Sequence, residues 1–213
     1  MADANQDDRA ALERQREVWR KQAPRYDREM GFWERVLFKD ARPSLCSRAH
    51  GEVLEVAVGT GRNFGQYPAD VHLVGIDLSP EMLALARDRA DNDPRSIDLR
   101  EGNAHALDLP DASFDTVVCT FAMCNIPNQE RALAEMYRVL RSGGRLLLVD
   151  HVASTNTIAL GVQRVLEKLT VRFQGEHLTR RPLPLVVTAG FEIETHRRYS
   201  LGIVEELTAR RPL

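Results

Sequence analysis

The sequence predicts a doubly wound, mostly parallel α/β sheet, and three observations carry that prediction. From residue 52 onward, short apolar runs of strand length alternate with amphipathic stretches of helix length. The first run ends in a loop of small residues, Ala57-Val58-Gly59-Thr60-Gly61. The second ends on a carboxylate, Asp77. Strands that are apolar throughout, rather than alternating, are those buried on both faces, as in parallel sheets covered by helices.

In chain order, residues 1–50 read as helical. Ala10, Leu12, Val18 and Trp19 lie among charges, Phe32, Trp33, Val36 and Leu37 form a stripe, and Pro24 and Pro43 punctuate the segment. Strands follow at residues 53–57, 73–76, 116–121 and 145–149. Between them lie helices at 80–90, with Met82, Leu83 and Ala86 on one face, and at 129–140, with Leu133, Met136 and Leu140 on one face. Ser79-Pro80-Glu81 is a helix start, with a capping hydroxyl and proline at the first helical position. Ser142-Gly143-Gly144 is expected to stop a helix before a strand. A helix at 157–173, a polar link, a short helix from Arg181 and two final strands near Phe191 and Leu201 complete the chain.

The 213 residues make one domain with a small extension, divided as residues 1–50 and 51–213. Lys and Arg total 29 against 31 Asp and Glu, a net charge of −2, which argues against a nucleic-acid binder of the basic-patch kind. Cys46, Cys119 and Cys124 are too scattered for a disulfide scaffold, and no metal site is expected from them. No uncharged run has bilayer length, and Asp3, Asp7 and Asp8 open a segment unlike a signal peptide. A soluble, reducing, cytoplasmic location is therefore expected, with the oligomeric state open.

A strand ending in small residues lets a ligand approach the backbone where the strand turns into the next segment. Asp77, sixteen residues after Gly61, places an acid where the two hydroxyls of a ribose would lie. A dinucleotide fingerprint starting at Gly59 would need glycine at position 64, which is Phe64. Glu55 would repel a pyrophosphate and suits a cationic group such as an amino-acid ammonium. A nicotinamide oxidoreductase is thus disfavoured.

The block Glu55 to Gly61, Asp77, Gly102-Asn103-Ala104 with Leu107 and Leu109-Pro110, and the stretch from Asp111 to Arg145 with its Ser-Gly-Gly resemble the class I S-adenosylmethionine-dependent methyltransferases. The resemblance covers most of the chain. It implies a Rossmann-like sheet of seven strands with the last antiparallel, N-terminal helices as a lid, and S-adenosyl-L-methionine as cofactor. It departs at Ala57 and Val58, where many members carry glycine and cysteine, and at Asn103, where aspartate is common. By the resemblance, Glu55 would act on the methionine amino group, and Gly59 and Gly61, with Ala57 in the same turn, would leave room for the cofactor. Asp77 would hold the ribose, Leu78 and Met82 would sandwich the adenine, and Asn103 and Ala104 would read its edge. Tyr26 would close over the carboxylate end, with Asn63 and Thr120 completing the cofactor set.

Methyl transfer from a sulfonium is an in-line displacement that needs alignment and exclusion of water. A base is required only for an acceptor that is protonated at working pH. His151, just after the apolar run at 145–149, is the candidate base. His105 reads as a pocket wall, His177 as a cover of the acceptor site, and Cys119 as a small buried apolar residue. Gly59-Thr60-Gly61 with Asn63, Phe64, Tyr67 and Pro68, and Asp150-His151-Val152, look like the thiol methyltransferase branch; other segments look like quinone C-methyltransferases and phospholipid amine methyltransferases. The expected acceptor is small and hydrophobic, with loose membrane association only if it is lipid-like. The alternative is a non-catalytic sensor of the cofactor or its demethylated product.

Overall fold

The computed structural model describes residues 2–213, with side chains from Arg9 onward except that of Gln174. The side chains of Asp3, Asp7 and Asp8 lie outside the described residues. The chain opens with a long helix α1 (Ala2–Trp33), a π-helical turn (Glu34–Phe38) and α2 (Ala41–Cys46). There follow β1 (Glu52–Val56), β2 (His72–Asp77), α3 (Pro80–Ala90), β3 (Asp98–Glu101), β4 (Phe114–Thr120) and α4 (Gln129–Val139). β5 (Leu140–His151), α5 (Thr157–Gln174), α6 (Pro182–Thr188), β6 (Glu192–Tyr199) and β7 (Val204–Arg210) complete it.

The seven strands form one sheet in the order β3-β2-β1-β4-β5-β7-β6. β3, β2, β1, β4 and β5 are parallel, and β7 runs antiparallel to both β5 and β6. The fold is the one the sequence implies. Strand periodicity divides the interior into two apolar layers. Leu54, Val56, Val117, Cys119, Leu146 and Leu148 face α4 and α6, while Val53, Val118, Leu147 and Val149 face α2 and α3. The strand order reverses direction at β1 and β4, whose carboxyl ends therefore open a crevice.

Local chemistry sets most boundaries. Ser79 accepts a hydrogen bond from the Met82 N–H (3.3 Å) with Pro80 in the first turn. Asn128 caps α4 by accepting from Arg131 N–H (3.0 Å), and Asn156 caps α5 by accepting from Ile158 and Ala159 N–H (both 3.1 Å).

Two expectations are corrected. Pro24 does not punctuate the N-terminal segment but lies inside α1. Its missing hydrogen bond is outweighed where the next turn is pinned to the β1 loop and α3: Asp27 accepts from Thr60 Oγ1 (2.7 Å) and Arg89 (2.8 Å). Pro43 sits in the first turn of α2, where its absent N–H has no helical partner to lose. Ser142-Gly143-Gly144 does not end α4, which stops at Val139 when Leu140 turns extended; the triplet lies inside β5. There Gly143 takes φ +78°, and a Cβ on Gly144 would come within 2.9 Å of the Arg141 carbonyl oxygen. The β4–β5 register shifts at the same place, between Phe114 and Thr116.

Ala57 adopts φ +58°, a left-handed conformation that costs an L-residue about 1–2 kcal/mol relative to glycine. Part of any gain on substitution is offset by the freer unfolded chain of glycine. Ala57→Gly should therefore raise stability by up to about 1 kcal/mol in urea unfolding; a destabilised variant would show that the methyl group packs favourably enough to outweigh the strain.

Candidate active site

A cleft opens at the carboxyl ends of β1, β2 and β4 and is covered by α1. Val56, Ala57, Gly59, Ile76, Asp77, Leu78, Met82, Gly102, Asn103, Ala104 and Thr120 form its floor and one wall. Leu12, Gln15, Trp19 and Tyr26 of α1 close it from above, and His105 and residues 121, 122 and 125–127 form the far wall.

Asp77 lies at the end of β2 and is buried. Its Oδ2 accepts from Gly59 N–H (2.8 Å) and its Oδ1 from Ser79 N–H (2.9 Å). Burial raises its pKa to about 6 against these backbone hydrogen bonds. A carboxylate accepts about four hydrogen bonds, so beyond its backbone donors the group keeps acceptor capacity for a ligand hydroxyl. Gly59 (φ +56°) faces the cleft, where an added Cβ would meet only Tyr26, at 4.0 Å. Met82 is buried yet belongs to neither apolar layer; with Leu78, Ile76 and Ala104 it lines an apolar slot. Asn103 is held by accepting from His105 N–H (2.9 Å) at Oδ1, so its amide nitrogen remains for recognition. The site thus offers hydroxyl acceptors, an apolar slot for a flat ring and an amide edge. That donor and acceptor set fits an adenosine.

Four candidate residues lie elsewhere. Gly61 takes φ +78°, but a Cβ there would strike the Phe64 ring at 2.4 Å, so this glycine makes room for Phe64 and not for a ligand. Glu55 and Asn63 are buried behind the cleft floor. Strand alternation turns Glu55 to the α2 side, where it accepts from Asn63 Nδ2 (2.8 Å) and Tyr67 Oη (2.7 Å). Burial pushes the Glu55 pKa up to about 7, against the hydrogen bond from Tyr67 and the charge of Arg42. Arg42 joins this group to the cleft: its guanidinium donates to Asn63 Oδ1 (2.8 Å), Thr120 Oγ1 (2.7 Å) and Glu34 (2.7 Å).

His151 is the fourth. It sits behind the far wall, stacked on Phe38 (6.5 Å between centroids), which in turn stacks on Phe121 (4.2 Å). Its Nε2 is 2.9 Å from Glu176 Oε1, while the buried Nδ1 has no hydrogen-bond partner. Burial alone would lower its pKa, but the hydrogen bond to Glu176 and the charge of Asp150 outweigh it and raise the value. Cys124 lies beside it, its thiol pushed well up by burial and by Asp150. Ligating atoms of Cys124, His151 and Glu176 lie within 4.8 Å of one another. All three are already engaged, in the His151–Glu176 and Asn125–Cys124 hydrogen bonds. His177 donates its N–H to the Cys124 carbonyl (3.1 Å), and Arg180 donates to the Met123 (2.9 Å) and Ile126 (2.5 Å) carbonyls, so both fix the far-wall loop.

Sequence reading expected a lid and Tyr26 over the cleft, but missed Arg42 and the contacts of Leu12, Gln15, Arg16 and Trp19. Arg42 carries no motif, and its role depends on residues 21 and 78 positions away. Gln15 donates to the Asn125 carbonyl (2.8 Å) and Arg16 to the Leu78 carbonyl (3.0 Å), so α1 spans both walls.

A family model described as a methyltransferase domain matches residues 54–148. The ubiquinone/menaquinone biosynthesis C-methyltransferase UbiE of Methylobacterium nodulans is 36% identical over 88% of this chain and 86% of its own. The chain belongs to the class I S-adenosylmethionine-dependent methyltransferases. A phosphatidylethanolamine N-methyltransferase of Cereibacter sphaeroides is 42% identical, over 58% of this chain and 60% of that one. The human thiol S-methyltransferase TMT1A is 33% identical over 78% of this chain and 70% of its own. In fold, the chain resembles phosphoethanolamine N-methyltransferase 2 of Haemonchus contortus, with a TM-score of 0.65 at 16% identity, covering 82% of this chain and 53% of that one. This methyltransferase uses S-adenosyl-L-methionine, and no helix among the described residues is long and apolar enough to cross a membrane.

A carboxyl whose pKa is raised by folding holds its proton more tightly folded than unfolded. Stability therefore falls as pH rises from 4.5, the ordinary value for Glu55, toward about 7. The loss is about 1.4 kcal/mol per unit at most. Glu55→Gln should flatten this decline in melts of the cofactor-free methyltransferase compared between pH about 5 and about 8. An unchanged slope would place the responsible group elsewhere.

Proposed function

We propose that this methyltransferase acts on a small hydrophobic acceptor: a thiol, a hydroxyl or ring carbon of a quinol, or an amine. The reading rests on one observation: the cleft lining holds apolar side chains beyond those that fit an adenosine. Asp77, Asn103 and Gly59 supply the polar part of that fit. Leu12 and Trp19 of α1, with Phe121, Ala122, Ile126 and Pro127, line the same cleft and take no part in it. The relatives act, by their names, on a quinone precursor, a phospholipid amine and a thiol, all acceptors of this broad class. A partner of this kind fits the apolar wall without contact to nucleic acid.

The residue roles follow from placement. Asp77 holds the ribose hydroxyls, Leu78 and Met82 grip the adenine, Asn103 and Ala104 meet its edge, and Tyr26 closes over Gly59. Ala57 and Gly59 keep the backbone low. Glu55, Asn63 and Thr120 act as a group, with Glu55 reaching the methionine amino end through Asn63 and Thr120. When bound, S-adenosyl-L-methionine supplies an electrophilic methyl group on a sulfonium. The protein's own contribution is alignment and dryness: α1 excludes water and the apolar walls orient the acceptor. Residues 1–50 form the N-terminal extension, with α1 as the lid, and residues 51–213 the methyltransferase domain. α2 is more than a cover, because Leu45 and Cys46 pack in the same apolar layer as Leu83 and Val118.

For a protonated acceptor, His151 takes the proton at Nδ1 once Phe121 and the 122–126 loop in front of it move aside, while Glu176 holds Nε2–H. Burial opposes a raised value, yet Glu176 and Asp150 hold the imidazole above its ordinary 6.5, so the neutral base is populated only as pH rises. The rate should climb with pH through a midpoint above 6.5. Glu176→Gln should move that midpoint down, since it removes the anion that favours imidazolium; an unmoved midpoint would remove His151 from the proton path.

The acceptor class is tested by release of S-adenosylhomocysteine with an alkyl thiol, a hydroquinone and a lipid-like amine, and turnover of a single class identifies the acceptor atom. Asp77→Asn should weaken cofactor binding by about 10- to 100-fold, the loss expected for two charge-assisted hydrogen bonds made partly neutral. Unchanged affinity in calorimetry would refute its role.

A further inference from the structure

We infer that α5 and the adjoining end of α1 form a docking surface for anionic lipid bilayers. This goes beyond the acceptor reading and does not depend on it. The helix α5 is oriented opposite to an ordinary surface helix, whose apolar stripe faces the core. Its inward side is polar. Gln163 donates to the Val152 (2.9 Å) and Leu178 (3.0 Å) carbonyls, Glu167 accepts from Thr179 Oγ1 (2.6 Å), and Thr170 donates to the Glu176 carbonyl (2.8 Å). These residues recur at helical spacing and anchor the helix through hydrogen bonds.

The stripe that should be buried instead faces outward. Ile158, Val162, Val165, Leu166, Leu169 and Phe173 share one face, and Ile158, Val165 and Phe173 are 79%, 66% and 67% exposed. From Ile158 to Phe173 the stripe runs about 23 Å, far more than scattered surface apolar residues produce. It continues past the start of the helix. Ser154 donates to the Leu201 carbonyl (2.6 Å), Ser200 donates to the Leu37 carbonyl (2.7 Å), and Leu201, Phe32, Trp33 and Val36 are all exposed.

Charge selects the occupant. Arg164, Lys168 and Arg172 form a row at four-residue spacing along one edge of the stripe, and no ion pair holds them among the described residues. An apolar face edged by unpaired cations is the pattern of a helix lying in the interface of an anionic membrane. A second copy of this chain would bring an identical cation row with no anionic row to meet it, since Glu167, the only acid in α5, is committed to Thr179. The surface also places the end of the lid helix α1 at the bilayer.

The test is co-sedimentation of the full chain with phosphatidylcholine vesicles, with and without about 30 mol% phosphatidylglycerol. Binding is expected to the anionic vesicles and to be at least about tenfold weaker to the neutral ones. Arg164→Gln, Lys168→Gln and Arg172→Gln together should cost roughly a hundredfold in vesicle affinity. Val165→Glu with Leu169→Glu should abolish sedimentation while S-adenosylhomocysteine affinity stays unchanged, which reports an intact fold. Vesicle binding that survives Val165→Glu and Leu169→Glu would overturn the proposal. So would failure of the wild-type chain to bind anionic vesicles, and concentration-dependent dimerisation lost in the same variant would then assign the face to a second copy.

Discussion

The structure around the cleft depends on one buried guanidinium. Arg42 enters from α2, outside the nucleotide-binding motifs, and ties the β1 loop to the end of β4 through Asn63 and Thr120. A cation in this position is tolerated only because Glu34 neutralises it and because oxygen acceptors surround it. Its other face lies 5.0 Å from the Phe121 ring centroid, so the same group supports the aromatic wall of the cleft. Removing such a partner leaves unpaired buried groups on several elements at once, which makes the network a constraint on geometry more than a source of net stability.

The period of two along the strands decides which groups can touch a ligand. On β1, Val56 faces the cleft side and Glu55 the α2 side. On β5, Asp150 accepts from Cys124 N–H (3.0 Å) while the adjacent His151 turns to Phe38. The molecule therefore has a ligand layer and, behind it, a layer of titratable groups with shifted pKa values. The second layer can affect the first only through shared residues: Thr120 for Glu55, and Phe121 with the 122–126 loop for His151.

The long helix α1 performs two tasks with different surfaces. Its middle spans the cleft, held by Gln15 and Arg16 to opposite walls and by Asp27 to Thr60, Arg62 and Arg89. These contacts are polar, and apolar packing of α1 is confined to residues such as Ala23 and Met30, as suits an element that must admit and release a ligand. Its end carries Phe32 and Trp33 outward, next to the apolar face of α5.

Much of this was legible in the sequence. Continuous apolar strands, the Ser79-Pro80 cap and the Asp77 carboxylate are local features, so the sheet, α3 and the nucleoside end of the cleft follow from short stretches of chain. Glycine was less decisive: Gly59 and Gly61 look alike in the motif, yet one faces the ligand space and the other accommodates the Phe64 ring. The apolar stripe of α5 is plain in the sequence, but whether it turns inward depends on Gln163, Glu167 and Thr170 finding partners at residues 152, 178, 179 and 176. The order of elements, the cofactor family and the buried acid at the end of β2 could be read from the sequence, because caps, periodicity and strand-end motifs act over a few residues. Only the tertiary structure decided the Arg42 network, the position of His151 behind the aromatic wall and the outward face of α5, because each depends on contacts between segments far apart in the chain.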